Sequence, residues 1–242
     1  MGNVKIATWN IQSGVNSKNK FTNYTNRWKY ILPHSHKPLS EIGHALEKEN
    51  IGVAMLTEVD GGSFRSSWKD QSKAIAKSSG LSNALFFPTY NNSLLNQGNA
   101  IISKYPIKYI ANHQLPGKGE PRTIGEAKIQ LPNKDITLLV THLSTNKIVR
   151  EEQINFLSKM LKHKRGPYIL AGDFNAESDE ELKNVTNCNC TMCSSSPTYP
   201  SWNPKKSYDH IIASKDINLK KGYIPKLLYS DHLPLISEIE TK

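Results

Sequence analysis

No stretch of this 242-residue chain stays apolar for anything like the roughly 20 residues of a membrane-spanning helix. A leader is missing as well: MGNVKIATWN enters a strand-like pattern without the basic-then-apolar order of a signal peptide. The Met-Gly start is not followed by Ser or Thr at position 6, where Ile6 stands, so a myristoyl anchor is not expected. These absences set the expectation of a cytoplasmic protein. Internal repeats and low-complexity linkers are also lacking, and with no seam to divide it the chain is expected to form a single domain spanning 1–242. Cysteine is scarce. Its 3 copies stand as C-N-C-T-M-C at 188, 190 and 193, an odd number with no second C-x-x-C and no histidine pair. That pattern excludes a disulfide framework and lacks a fourth zinc ligand, so Cys188, Cys190 and Cys193 are read as free thiols in an exposed loop.

What is present is positive charge. The chain holds 31 Lys and Arg against 21 Asp and Glu, a net +10, which favours a polyanionic partner such as nucleic acid or an anionic membrane surface. Hydrophobic content of 37% is ordinary for a globular protein and argues against extensive disorder.

Strand patterns fall at 4–9, 52–57, 83–87, 99–103, 107–114, 123–130, 135–142, 167–172, 208–214, 219–224 and 233–239. Helical periodicity marks 39–49, 68–79, 147–162 and, weakly, 178–185. Many strands with a few helices, in two similar halves, predict an α/β fold in which two packed sheets carry helices outside. The segment 15–37 is polar, basic and aromatic, with Phe21, Tyr24, Trp28 and Tyr30, and reads equally as a surface loop or a short helix lining a groove.

The stretch LAGDFNA at 170–176 ends an apolar strand with an acid and an amide two residues apart. Side chains at i and i+2 share one face of extended chain, so Asp173 and Asn175 project together from the carboxyl end, where ligands bind in open α/β sheets. Taken alone, the stretch also reads as a helix cap. The same kind of place recurs, however. Asn10 closes the first strand, Glu58 the second apolar run and His142 another, while Asp231 and His232 open the last. Polar groups gathered at strand ends describe a site.

The stretches TWNIQSG, LTEVD, GNAIISKYPI, EPRTIGEAKI, THLS, AGDFNA, SYDHIIAS and SDHLPL, in this order from 4 to 239, resemble the endonuclease/exonuclease/phosphatase superfamily typified by deoxyribonuclease I. The resemblance implies a four-layer α/β sandwich, two mostly antiparallel sheets flanked by helices, that hydrolyses phosphodiesters with magnesium, manganese being a possible substitute. By resemblance Glu58 is the principal metal ligand, with Asn10 and Asp231 beside it. Asp173 would align or deprotonate the attacking water, and Asn175, His142, Asn10 and Arg122 would bind the phosphate. His232 would serve in acid–base work, held by Asp209. Which group is the general base stays open.

The tyrosine of the abasic-site branch is replaced here by the histidine of THLS, which makes a standard abasic-site enzyme unexpected. A catalytically dead relative should have lost ligands, yet every expected position is filled. Two substrates remain. A nuclease or DNA-processing enzyme, acting on DNA before RNA and as a monomer, accounts for the basic aromatic segment. The alternative is a phosphodiesterase for a lipid or other small phosphoester, as in sphingomyelinases.

Overall fold

The computed structural model describes residues 2–92, 94–193 and 196–241. Two mixed sheets pack face to face. The first, in the order β11-β1-β2-β4-β3, comprises β1 (Gly2–Asn10), β2 (Val53–Asp60), β3 (Asn83–Asn91), β4 (Asn96–Ser103) and β11 (Leu235–Thr241). The second, in the order β5-β6-β7-β8-β10-β9, comprises β5 (Ile107–Gln114), β6 (Thr123–Gln130), β7 (Asp135–His142), β8 (Tyr168–Asp173), β9 (Cys190–Met192) and β10 (Asp209–Ser214). Each sheet has one parallel pair, β1 with β2 and β7 with β8, and every other pairing is antiparallel.

Alternation along the strands builds the layers. Val4 and Ile6, Val53 and Met55, Leu138 and Val140, Ile169 and Ala171, and Ile211 and Ala213 meet between the sheets. Their neighbours point outward. Ala7, Trp9, Ala54 and Leu56 pack against α2 (Lys37–Lys48) and α3 (Gln71–Ser78). Leu139, Leu170 and Ile212 pack against α4 (Lys147–Lys162). Strands buried on both faces read as continuous apolar runs, which is why β2 and β8 stood out. The helix starts have local causes. Asn146 accepts from the backbone N–H of Ile148 and Val149, and Asp70 from those of Ser72 and Lys73.

Several expectations are corrected. The helix at 68–79 begins only at Gln71, because Ser67 and Trp68 adopt left-handed φ of 50° and 62° ahead of the Asp70 cap. The strand at 219–224 is reduced to two bridges onto β11, Leu219 to Ile239 and Tyr223 to Ile236. The weak helix at 178–185 becomes a 3-10 turn, Asp179–Leu182, followed by α5 (Lys183–Thr186). The cysteines are not exposed: all three are buried. Cys188 and Cys190 pack beneath α4 and Cys193 lies between the sheets, so the thiols fall on two sides of one sheet. The segment at 15–37 forms α1 (Lys20–Thr25), capped by the reciprocal Asn19–Thr22 box, and a 3-10 turn at Arg27–Tyr30.

Candidate functional site

Both parallel pairs release their chains at the same end of the sandwich. Asn10 is the last residue of β1, His142 of β7 and Asp173 of β8. Antiparallel β10 starts at that end with Asp209, and Arg122 immediately precedes β6. Glu58 sits in β2 where the register with β4 slips between Leu56 and Val59, and its φ is +54°. A left-handed residue other than glycine costs about 1–3 kcal/mol and persists only where its surroundings impose it, here tilting the carboxylate out of the ladder. Asn175, at φ +50°, is a second case. Gly172 lets the chain approach: a Cβ there would come within 1.8 Å of the Thr141 carbonyl oxygen, in the residue just before Asp173.

Of the nine residues singled out by sequence, eight line one open cleft of about 630 Å3. The ninth, Asp209, is fully buried behind His232 and accepts from its Nδ1 at 2.8 Å. Asp209 Oδ2 also takes the Thr198 hydroxyl at 2.6 Å. At the floor lies Asp173 Oδ2, 3.1 Å from Asn10 Nδ2, 3.5 Å from His142 Nε2 and 3.6 Å from His232 Nε2. Its other oxygen accepts the Asn175 backbone N–H at 2.9 Å. Asn10 Nδ2 donates to Glu58 Oε1 at 2.9 Å, while its oxygen is taken by the backbone N–H of Gln12 at 3.0 Å. Asn10 therefore presents a donor to two carboxylates, a contact that orients both.

Arg122 Nη1 stands 3.0 Å from His142 Nδ1 and the Asn175 amide nitrogen 3.2 Å from Nε2, so a donor faces each ring nitrogen; the guanidinium, which cannot accept, favours the tautomer with its proton on Nε2. Burial, then the Arg122 guanidinium, keeps the His142 pKa well below the ordinary value, so the ring stays neutral. Arg122 Nη2 holds Glu120 at 2.9 Å, and its buried Nε has no partner among the described residues.

Charge in this end of the molecule is unbalanced. Burial raises Glu58, with Asp173 adding to it, and raises Asp173 and Asp231 to about 6 each. For His232 burial works the other way, but Asp209 and Asp173 outweigh it and lift the ring to about 10. Carboxylates that resist ionisation together are the donor set a hard divalent cation relieves. Asp173, Asp209 and His232 also place one ligand atom each within 4.8 Å of one another. The short Nδ1–Oδ2 hydrogen bond already occupies that second grouping, so the Glu58 side, with Asp231, fits a cation better.

Sequence reasoning gave no role to Thr198, Ser230 or Gln12, and it left open whether the segment holding Tyr30 lines a groove, which Tyr30 does. Ser230 donates to the Asn10 carbonyl at 2.6 Å, and Gln12 Nε2 donates to the Tyr30 hydroxyl at 2.7 Å at the cleft rim. Tyr199 and Tyr208 form a further wall, with the Tyr199 ring 4.8 Å from His232. Of the three without a role, only Ser230, next to Asp231, had a sequence signal. The rest arrive by long-range contact.

Comparison with known proteins bears on the fold and the family. A UPF0294 protein of Vibrio campbellii is 29% identical over 155 residues, 59% of this chain and 55% of that one, so the match spans about half the length of that relative. An endonuclease/exonuclease/phosphatase structure from Beutenbergia cavernae superimposes with a TM-score of 0.77 at 19% identity, covering 99% of this chain and 72% of that chain. The mannosyl-6-phosphatase Bt3783 of Bacteroides thetaiotaomicron superimposes with a TM-score of 0.72 at 14% identity, covering 98% of this chain and 100% of that chain. Residues 7–232 match the Endonuclease/Exonuclease/phosphatase family, and the chain belongs to that family of phosphoester hydrolases.

Proposed function

We propose that the chain, acting over 1–242 as one monomeric catalytic domain, is a divalent-metal-dependent phosphodiesterase, and that its substrate is nucleic acid, DNA before RNA. The observation that carries this reading is Asp173 Oδ2, a buried carboxylate oxygen with Asn10, His142 and His232 converging on it. A carboxylate with a pKa of about 6 accepts a proton near neutral pH, so Asp173 aligns and deprotonates the attacking water. Asn10 holds Asp173 and Glu58 in mutual register. His142 Nε2–H, the Asn175 amide and the unpartnered Arg122 Nε donate to non-bridging phosphate oxygens as charge builds there. Protonated His232, kept charged and oriented by Asp209, supplies the acid. Glu58 and Asp231, with Asn10 orienting Glu58, would hold the cation, magnesium by the hardness of the donors with manganese as substitute, and it would neutralise phosphate charge.

Nucleic acid is favoured by the net charge of +10 and by Lys18, Lys20, Arg27 and Lys29 in the segment that leads to the cleft-lining Tyr30. A lipid or other small phosphoester is the second reading, supported by exposed Ile31 and Leu32 just after Tyr30. The test is hydrolysis of bis(p-nitrophenyl) phosphate, plasmid, single-stranded DNA, RNA and sphingomyelin with magnesium, with manganese and with chelator. Metal-dependent turnover of the polymers with little on sphingomyelin is expected. Turnover unaffected by chelator would refute the metal assignment.

A further inference from the structure

Three rings stand out from the surface in the segment that leads into the cleft-lining Tyr30. Phe21 is 74% exposed, Tyr24 71% and Trp28 48%. Phe21 and Tyr24 are one turn apart on α1, so they share a face. Each of the later two has a cation near its ring: Arg27 lies 5.8 Å from the Tyr24 centroid and Lys29 5.8 Å from that of Trp28.

The segment is held firmly although its rings are bare. The Asn19–Thr22 box closes the start of α1, Asn26 Nδ2 bonds the Val15 and Asn16 carbonyls, and Lys29 Nζ bonds Val15. Its last residue, Tyr30, lines the cleft and is tied through Gln12 to Asn10. Arg65, ion-paired with Asp60 at 2.6 Å, clasps the Tyr30 carbonyl from the other side. The rings are thus set in fixed register with the phosphate-binding floor.

Resting on the nucleic-acid reading above, we infer that Phe21, Tyr24 and Trp28 form a stacking platform for unpaired bases, and that the enzyme selects single-stranded nucleic acid. A ring can stack only on a base whose face is free, which a duplex hides and a single strand offers. The interleaved cations suit the phosphates between those bases. A lipid surface is the competing occupant, with Ile31 and Leu32 exposed just beyond the rings, and the vesicle arm of the test separates the two.

The test uses full-length Glu58→Gln protein, which can bind without cleaving. Affinity is measured for a single-stranded DNA oligomer, its duplex, the same length of abasic polymer, and vesicles of phosphatidylglycerol and phosphatidylcholine. The single strand should bind tightest. Phe21→Ala, Tyr24→Ala and Trp28→Ala together should lower that affinity by about tenfold or more while leaving the abasic polymer unchanged. Single-strand binding should also quench tryptophan emission, and Trp28→Phe alone should abolish the quench, which keeps the inference testable if the triple variant is damaged. Equal affinity for strand and duplex, or an equal loss on the abasic polymer, overturns the platform. So does a triple variant that loses only vesicle binding, which would hand the face to a membrane. Metal-dependent hydrolysis of bis(p-nitrophenyl) phosphate by the wild type reports the hydrolase reading separately, so one can fail without the other.

Discussion

The two sheets are built alike and used differently. Each delivers a parallel pair to the same end of the sandwich, β1 with β2 and β7 with β8. From the first pair come Asn10 and Glu58, an oxygen-rich patch with its charge in surplus. From the second come His142 and Asp173, with Asn175 just beyond, two nitrogen-bearing side chains in contact with each other beside one buried carboxylate. Asn10 joins them, giving one N–H to each side. On the proposed reading this duplicate architecture divides the labour: the Glu58 side would meet the cation and the His142 side the phosphate.

The division breaks most sharply at Glu58. Glu58→Gln keeps the size and removes the charge, so turnover should fall by orders of magnitude, with the folded state intact or slightly more stable without metal. Magnesium should raise the melting temperature of the wild type and not of the variant. Near wild-type turnover of the variant at saturating magnesium would remove Glu58 from the cation site.

Next in size is the pair behind the second sheet. Removing either Asp209 or His232 should cost about 10²–10⁴ in turnover, and removing both little more, because an unoriented imidazole is already a poor catalyst. Additive losses in the double variant would show that the 2.8 Å contact is incidental to activity.

The smallest effect is on stability. Asp173 and Asp231 have folded pKa values of about 6, raised from the ordinary carboxylate range by burial. The folded state then binds more protons than the unfolded one between about pH 4 and 6, so metal-free protein should lose stability as pH rises through that window. His232, lifted to about 10, adds stability that is full below its unfolded value and fades as pH climbs toward 10. Both slopes run downward with pH. Saturating magnesium should flatten the carboxylate part, as should Asp231→Asn. Thermal melts from pH 4 to 7 with and without metal decide this, and identical profiles would mean that the cation does not meet these groups.

Much of this was legible before any coordinates. Strands buried on both faces, such as β8, announce themselves as unbroken apolar runs, and a polar residue at their end has nowhere to go but the rim. That reasoning puts Asp173, Asn175, Asp231 and His232 at the rim, and the structure gathers them along one cleft. What sequence could not supply was rotation about a side-chain bond. At Asn10 the N–H of Gln12 claims the side-chain oxygen and turns the amide nitrogen inward. Nor does spacing reveal the slip in β2 that aims Glu58, because a bulge depends on the partner strand. Thr198 was hidden for a related reason: its partner lies 11 residues along the chain. The cysteines failed through composition, since a small polar cluster read as surface while its thiols filled gaps beneath α4 and between the sheets.

One contact has a bearing on when the enzyme becomes an enzyme. The Trp9 indole donates to the His232 carbonyl at 2.9 Å, and Ser230 closes on the Asn10 carbonyl, joining positions more than two hundred residues apart. During synthesis the first strand leaves the ribosome long before either partner exists. A nascent chain that has reached residue 200 holds Glu58, His142 and Asp173, yet it lacks Asp209, the acid His232 and the lock that seats Asn10. On the proposed reading the site is complete only once residues 230–232 have docked on the first strand, so hydrolysis would wait for that contact.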